Sequence, residues 1–155
     1  MSSNVTMPTI IILEDQEGKR HPIEAVLIAS NSPLIRNILK YEGVKEHVLV
    51  PSTDGEMVSI RIDKVVNLPI KSDILARIIS FLQAGKLDLE LDIICDLLVA
   101  SEYLMMRGLS RFIISWLSQK LNFLNVLSFL SFSQDFMIPE LEEQCRKLIN
   151  SFQTN

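Results

Sequence analysis

Few residues in this sequence are equipped for chemistry, and they are scattered. Its 155 residues include two histidines, His21 and His47, and two cysteines, Cys95 and Cys145. A Ser-His-Asp triad needs a nucleophile on a strained turn such as G-x-S-x-G, and no such motif occurs. His21 stands beside Pro22 at the end of an expected strand, and His47 begins another. Cys95 and Cys145 each fall on the apolar face of an expected helix. That is the setting of a small buried hydrophobe, whereas an activated thiolate wants electropositive, partly open surroundings. Two cysteines make no disulfide framework and point to a reducing compartment. The carboxylate pairs Glu14/Asp15 and Glu142/Glu143 lie in a turn and in a first helical turn. Solvation and the helix dipole account for both without acid–base catalysis. Thr53-Asp54-Gly55-Glu56 reads as a hairpin turn, because the ligand spacing of an EF-hand loop is missing. No Gly-rich nucleotide-binding motif is present. The expectation is a protein that is not an enzyme, with no catalytic, cofactor-binding or metal-binding residues and no cofactor.

Composition sets the next bounds. One domain of common size fits the length. The hydrophobic fraction is 48%, the charged fraction 22%, and the mean hydropathy +0.26, which excludes disorder for most of the chain. The apolar surplus must be buried in a core or against a partner. Net charge is −4 and the isoelectric point about 5.2, so a nucleic-acid partner is disfavoured. The start, Met1 to Thr6, is polar and lacks the basic-then-apolar order of a signal peptide. Leu121 to Ile138 is apolar but carries Asn122, Asn125, Gln134 and Asp135, which argues against a membrane span. A cytoplasmic or nuclear location is expected, with no membrane contact.

Elements follow from periodicity. Thr9 to Leu13 is a β-branched run, Glu14 to Lys19 a polar turn, and Arg20 to Ile23 the return strand. Glu24 to Ser30 switches towards a helix. Ser32-Pro33 starts a second one, with Leu34, Ile35, Ile38 and Leu39 at helical spacing and Gly43 as its breaker. His47 to Val50 and Met57 to Ile62 predict two strands around an Asp54-Gly55 turn, and Val65 to Leu68 a further short strand stopped by Pro69. Beyond this the chain is helical. Ser72 is the expected cap of a helix carrying Ile74, Leu75, Ile78, Ile79 and Leu82 and ending near Gly85. Asp92 can start another, with Ile94, Leu97, Leu98 and Ser101 on one face. Gly108 is read as an interruption. Leu109, Phe112, Ile113, Trp116, Leu117 and Leu121 then form an apolar stripe, read as core. A helix is predicted from Asn125 to Ser133, and Pro139 opens the last one, with Leu141, Cys145, Leu148, Ile149 and Phe152 on its apolar face. The tail concentrates Phe123, Phe129, Phe132, Phe136 and Phe152, so part of it fits a partner-binding groove.

The order of these elements resembles the BTB/POZ family. Val26 to Leu39 is similar to the segment in which that family writes an apolar helix, a Ser-Pro cap and a second helix. Val66-Asn67-Leu68-Pro69 resembles its strand before the third helix. Ile78 to Leu87 is similar to its "Y-T-G-K-L" segment, and Leu97 to Leu104 followed by Gly108-Leu109 resembles its "LLVAADYL…GL". The sequence departs from the pattern at Glu24 and Gln83, where the family often has His and Tyr. The Val48–Ile62 stretch is longer than usual and reads as an added hairpin. Residues 1 to 7 cannot supply the helix that swaps between subunits of many dimeric members, which brings the chain nearer the Skp/elongin C branch. The tail from Asn125 to Phe152 resembles the helical pair, the 3-box or start of a BACK domain, that follows BTB domains in cullin adaptors.

The resemblance implies an α+β fold of the Skp/elongin C/BTB superfold: a small mixed sheet with a helical cluster and a C-terminal helical pair. The domains would be 8–121, BTB/POZ-like, and 122–155, the helical extension. It implies a non-catalytic adaptor that docks the N-terminal domain of a cullin scaffold in a ubiquitin ligase and recruits an unidentified target. The alternative is a BTB-type scaffold that only self-associates. Partner contacts would come from Val44 and Glu46 (the hydrophobic-x-Glu triplet after the second helix), from Tyr103, Leu104 and Met105, and from Phe129 and Phe132 in the tail.

Overall fold

An unbroken apolar run suits a strand buried on both faces, and Ile10–Glu14 (β1) is one: Ile11, Ile12 and Leu13 are all buried. The computed structural model describes residues 9–40, 46–51 and 55–153. The chain divides into two compact units, Met1–Asp88 and Leu89–Asn155.

The first unit holds a four-stranded sheet in the order β2-β1-β4-β3. β2 (Arg20–Glu24) returns antiparallel to β1, and β3 (Glu46–Pro51) lies antiparallel to β4 (Met57–Asn67). β1 and β4 run parallel. β4 changes partner along its length. Met57 to Ile62 pairs with β3, and Ile62 to Asn67 pairs with β1. The separate short strand expected at Val65 to Leu68 is therefore the second half of one 11-residue strand. The register shifts between Ile10 and Ile12, so β4 carries one extra residue there. The added hairpin exists as β3–β4. Its Asp54 and the breaker Gly43 lie outside the described residues.

Helices α1 (Ala25–Asn31) and α2 (Pro33–Leu39) meet at Ser32. Its buried hydroxyl accepts the Ile35 N–H at 3.2 Å, and Pro33 takes the first helical position. Ser32→Ala is expected to cost about 1 kcal/mol in urea denaturation, with Ser32→Thr closer to wild type. Arg36 donates to the carbonyls of Ala29 and Ser30 and so closes the end of α1. Lys64 reaches from β4 to the Ile38 carbonyl at 3.0 Å, at the end of α2, where a cation complements the exposed carbonyls. α3 (Ser72–Ala84) buries Ile74, Leu75, Ile78 and Ile79 and ends on Gly85 at φ 72°. Its cap differs from expectation. Ser72 is the first helical residue, and its N–H donates to the Glu17 carboxylate at 2.6 Å. The β1–β2 turn thus caps α3 from a distance in sequence.

The second unit is helical: α4 (Leu91–Tyr103), α5 (Arg107–Ser118), α6 (Val126–Asp135) and α7 (Pro139–Gln153). Ile94, Leu97, Leu98 and Ser101 of α4 are fully buried, as their spacing predicts. Gly108 does not interrupt. It sits in the first turn of α5, where loss of helix propensity is small, and nothing lies within 4 Å of the place a Cβ would take. Buried Ser101 and Ser110 share a 2.8 Å hydroxyl hydrogen bond that joins α4 to α5. Of the α5 stripe, Leu109, Ile113 and Leu117 are buried, whereas Phe112 is half exposed. α7 packs against both α6 and α5, so the expected boundary at 121/122 falls inside this unit, between α5 and α6.

Candidate interaction surface

Helices α4 and α6 end the same way, and each end pushes a methionine outward. After α4, Met105 adopts φ 59° and the Met106 N–H donates to the Ser101 carbonyl at 2.9 Å. After α6, Met137 adopts φ 54° and the Ile138 N–H donates to the Ser133 carbonyl at 2.8 Å. These are left-handed C-caps in which an apolar residue follows the cap and is buried, here Met106 and Ile138. Glycine usually fills the left-handed position, and a methionine there carries backbone strain. Both caps leave the side chain in solvent: Met105 is 50% and Met137 84% exposed.

The expected contact residues fall into three groups. Tyr103 and Met105 stand on the surface at the end of α4. Leu104 between them is completely buried and is corrected to a core residue, since the turn that exposes its neighbours points it inward. Phe129 and Phe132 are half-buried in α6, with the Phe132 ring 4.9 Å from that of Phe136. Glu46 begins β3, an outer strand of the sheet. Val44 lies outside the described residues.

Two of the tail aromatics expected to form a groove, Phe123 and Phe152, share an exposed surface with Leu124, Leu127 and Met137, which the periodicity left unmarked. Phe123, Leu124, Leu127, Met137 and Phe152 are each half or more exposed, and the rings of Phe123 and Phe152 meet edge to face at 6.4 Å. The aromatic density of the tail was the available signal. Beside Met137 a cavity of about 420 Å³ is lined by Ser133, Gln134, Met137, Pro139 and Glu142. Glu142 is bonded by Arg146 at 2.9 Å and by Gln134, and the Arg146 bond leads in holding its carboxyl below the ordinary value. Between α5 and α7 lie two more cavities, of about 190 and 260 Å³, lined by both Arg111 and Glu140, which stand 3.8 Å apart.

The titratable cluster in the first unit is structural. Asp15 is buried, unlike the solvated turn residue expected, and its Oδ1 accepts the N–H groups of Glu17 and Lys19 at 2.9 and 3.0 Å. His21 Nε2 donates to Oδ2 at 2.8 Å, and Ser72 also bonds the carboxylate. Burial pushes the Asp15 carboxyl up, but the bonds from His21, Ser72, Lys19 and Glu17 outweigh it and hold the group down at about 2. Although Ser, Asp and His meet here, Asp15 stands in the middle. The Ser72 hydroxyl faces a carboxylate rather than an imidazole, so no base is placed to activate it. Glu14, the neighbour, pairs with Arg20 at 3.1 Å. Burial raises both thiols, Cys95 and Cys145, above their ordinary value. Among the described residues no three His, Cys, Asp or Glu side chains group to hold a metal, and no helix is long and apolar enough to cross a membrane.

No protein-family model matches the sequence, and no curated protein does. Solved structures do match. The BTB (Tramtrack and Bric a brac) domain of human gigaxonin is 20% identical over 68% of this chain and 75% of that one, with a TM-score of 0.51. The BTB domain of zebrafish PATZ1 is 17% identical over 70% of this chain and 75% of that one, with a TM-score of 0.52. The mixed sheet and helical cluster described above therefore form a BTB fold.

Proposed function

We propose that the chain is a non-catalytic protein-interaction adaptor that docks the N-terminal domain of a cullin scaffold. The observation that carries this reading is the exposed Tyr103–Met105 pair at the end of α4, in a fold shared with BTB domains. A strained cap that keeps a large apolar side chain in solvent gives up stability, and a binding role accounts for its retention. Tyr and Met are also frequent at interface centres. The resemblance of the α6 and α7 sequences to the 3-box of cullin adaptors supports the same reading, with Phe129 and Phe132 lining a groove there. Val44 and Glu46 complete the proposed contact set.

Met105→Gly separates binding from folding. Glycine relieves the left-handed strain, so stability is expected to rise by about 1 kcal/mol, while cullin affinity falls. Tyr103→Ala is expected to weaken binding at least about tenfold, as interface anchors do, with little change in melting. Val44→Ala with Glu46→Ala should act in the same direction. Calorimetric titration with a cullin N-terminal domain reads all three. Absence of binding to any cullin at tens of micromolar overturns the adaptor reading and leaves the self-associating scaffold.

A further inference from the structure

We infer that Met105 and Met137 are modification sites, at which a peroxide oxidises an exposed thioether to a sulfoxide that a donor in the adjoining cavity then holds. The oxidation is independent of the cullin reading. Its effect on docking rests on that reading, because Met105 belongs to the proposed contact set.

A repeated strain points to these residues. Met105 at φ 59° and Met137 at φ 54° both occupy a position that glycine fills without cost. Met137 lies in no proposed cullin contact, so docking does not account for both. What they share is a flexible, polarisable sulfur kept in solvent. Each cap also buries the residue that follows it. After Met105 that residue is again a methionine, Met106, only 4% exposed. Two thioethers of the same chemistry thus stand side by side with opposite access to an oxidant, and oxidation follows access.

The reaction is a two-electron oxygen transfer. The Sδ lone pair attacks one peroxide oxygen, an S–O bond forms and the O–O bond breaks. Sulfur is oxidised and the peroxide reduced; with hydrogen peroxide the second oxygen leaves as water. A strong acceptor now stands where a weak one stood. Each site has a donor beside it. Met105 and Arg107 line one cavity of about 140 Å³. The five N–H donors of Arg107 suffice for Glu102, on the same cavity, and for the sulfoxide together. Met137 and Gln134 line the cavity of about 420 Å³. One N–H of the Gln134 amide serves Glu142, which leaves the second for the sulfoxide. Met57, exposed on β4 and outside both caps, is the reference.

The test uses the full chain with Cys95→Ser, treated with millimolar hydrogen peroxide. Tandem mass spectrometry should find one added oxygen on Met105 and on Met137, with Met106 at least about tenfold slower. Methionine-methyl NMR with a soluble gadolinium chelate then reads access. Before oxidation the Met105 and Met137 methyls should broaden as that of Met57 does. Afterwards both should be shielded while Met57 stays open, and Arg107→Ala and Gln134→Ala should each remove the shielding at its own site only. Melting should stay cooperative, because Met106 is spared. Cullin affinity should fall at least about tenfold. It should return with methionine sulfoxide reductase and dithiothreitol, but not with dithiothreitol alone. Equal oxidation of Met105 and Met106 overturns the proposal, and so do sulfoxides as open to the chelate as that of Met57. An unoxidised chain that binds no cullin counts against the adaptor reading alone, since rates and shielding are read without a partner.

Discussion

Leu98→Asp is expected to abolish cooperative folding. Leu98 is completely buried in α4, and Ile94, Leu97 and Ser101 on the same face are equally closed to water. A carboxylate there has no cation within its apolar face and must either stay charged without solvent or take up a proton. Either course costs several kcal/mol, against a total stability of about 5–15 kcal/mol for a domain of this kind. Leu98→Ala serves as the control. It removes the same contacts without adding charge, should cost about 2–5 kcal/mol, and should still melt as a cooperative unit at lower temperature. Circular dichroism through a thermal ramp distinguishes the two. A soluble Leu98→Asp protein with a sharp transition near that of the wild type would contradict the burial of this face.

Asp15→Asn should remove an acid-sensitive part of the stability. The carboxylate gathers two backbone N–H groups, the His21 ring and Ser72, and an amide cannot replace it. Asparagine has one acceptor oxygen, so its NH₂ must face either the His21 N–H or the turn amides, and a buried donor loses its acceptor. The melting temperature at neutral pH should drop further than in Arg20→Ala, whose ion pair with Glu14 is solvent-exposed. The pH dependence has a definite sign. The folded-state carboxyl titrates at about 2, below its ordinary 3.8. Its contribution is therefore complete above about pH 4 and is lost as the pH falls towards 2. The difference in melting temperature between wild type and Asp15→Asn should narrow across that window, because protonation makes the wild-type side chain neutral as well. A difference that stays constant from neutral pH to about pH 2 would show that Asp15 is not held ionised.

Local signals in the sequence located most helices. Ser32-Pro33, Gly85 and Pro139 each mark a terminus where backbone groups need a cap or a fixed φ, and such needs are met by nearby residues. The face of α4 was legible for the same reason, since four buried positions recur at helical spacing. What escaped notice depends on partners distant in the chain. Glu17 looks like a turn residue until α3 arrives to use its carboxylate as a cap. Asp15 looks solvated until Ser72 and His21 converge on it. The expected strands stopped at Ile62 and resumed at Val65, yet the strand runs through, and Lys64 between them donates to the Ile38 carbonyl at the end of α2. Leu104 shared the polarity pattern of its exposed neighbours, and only the left-handed turn at Met105 separates them. Leu124 and Leu127 look like core residues by type, and only the structure shows them 80% and 67% exposed.

The change of partner midway along β4 has a consequence for the order in which the molecule folds. β3 and β4 are neighbours in sequence, and a hairpin of this kind closes in microseconds. Ile12 and Val65 pair across 53 residues of chain, 65 minus 12. Loop-closure entropy makes that parallel ladder the slower event. β4 can therefore be half-zipped by β3 before β1 arrives, with Ile62 as the junction between the early and late ladders. Substitutions on the Met57–Arg61 side should then alter the refolding rate, and substitutions in β1 should alter mainly the rate of unfolding.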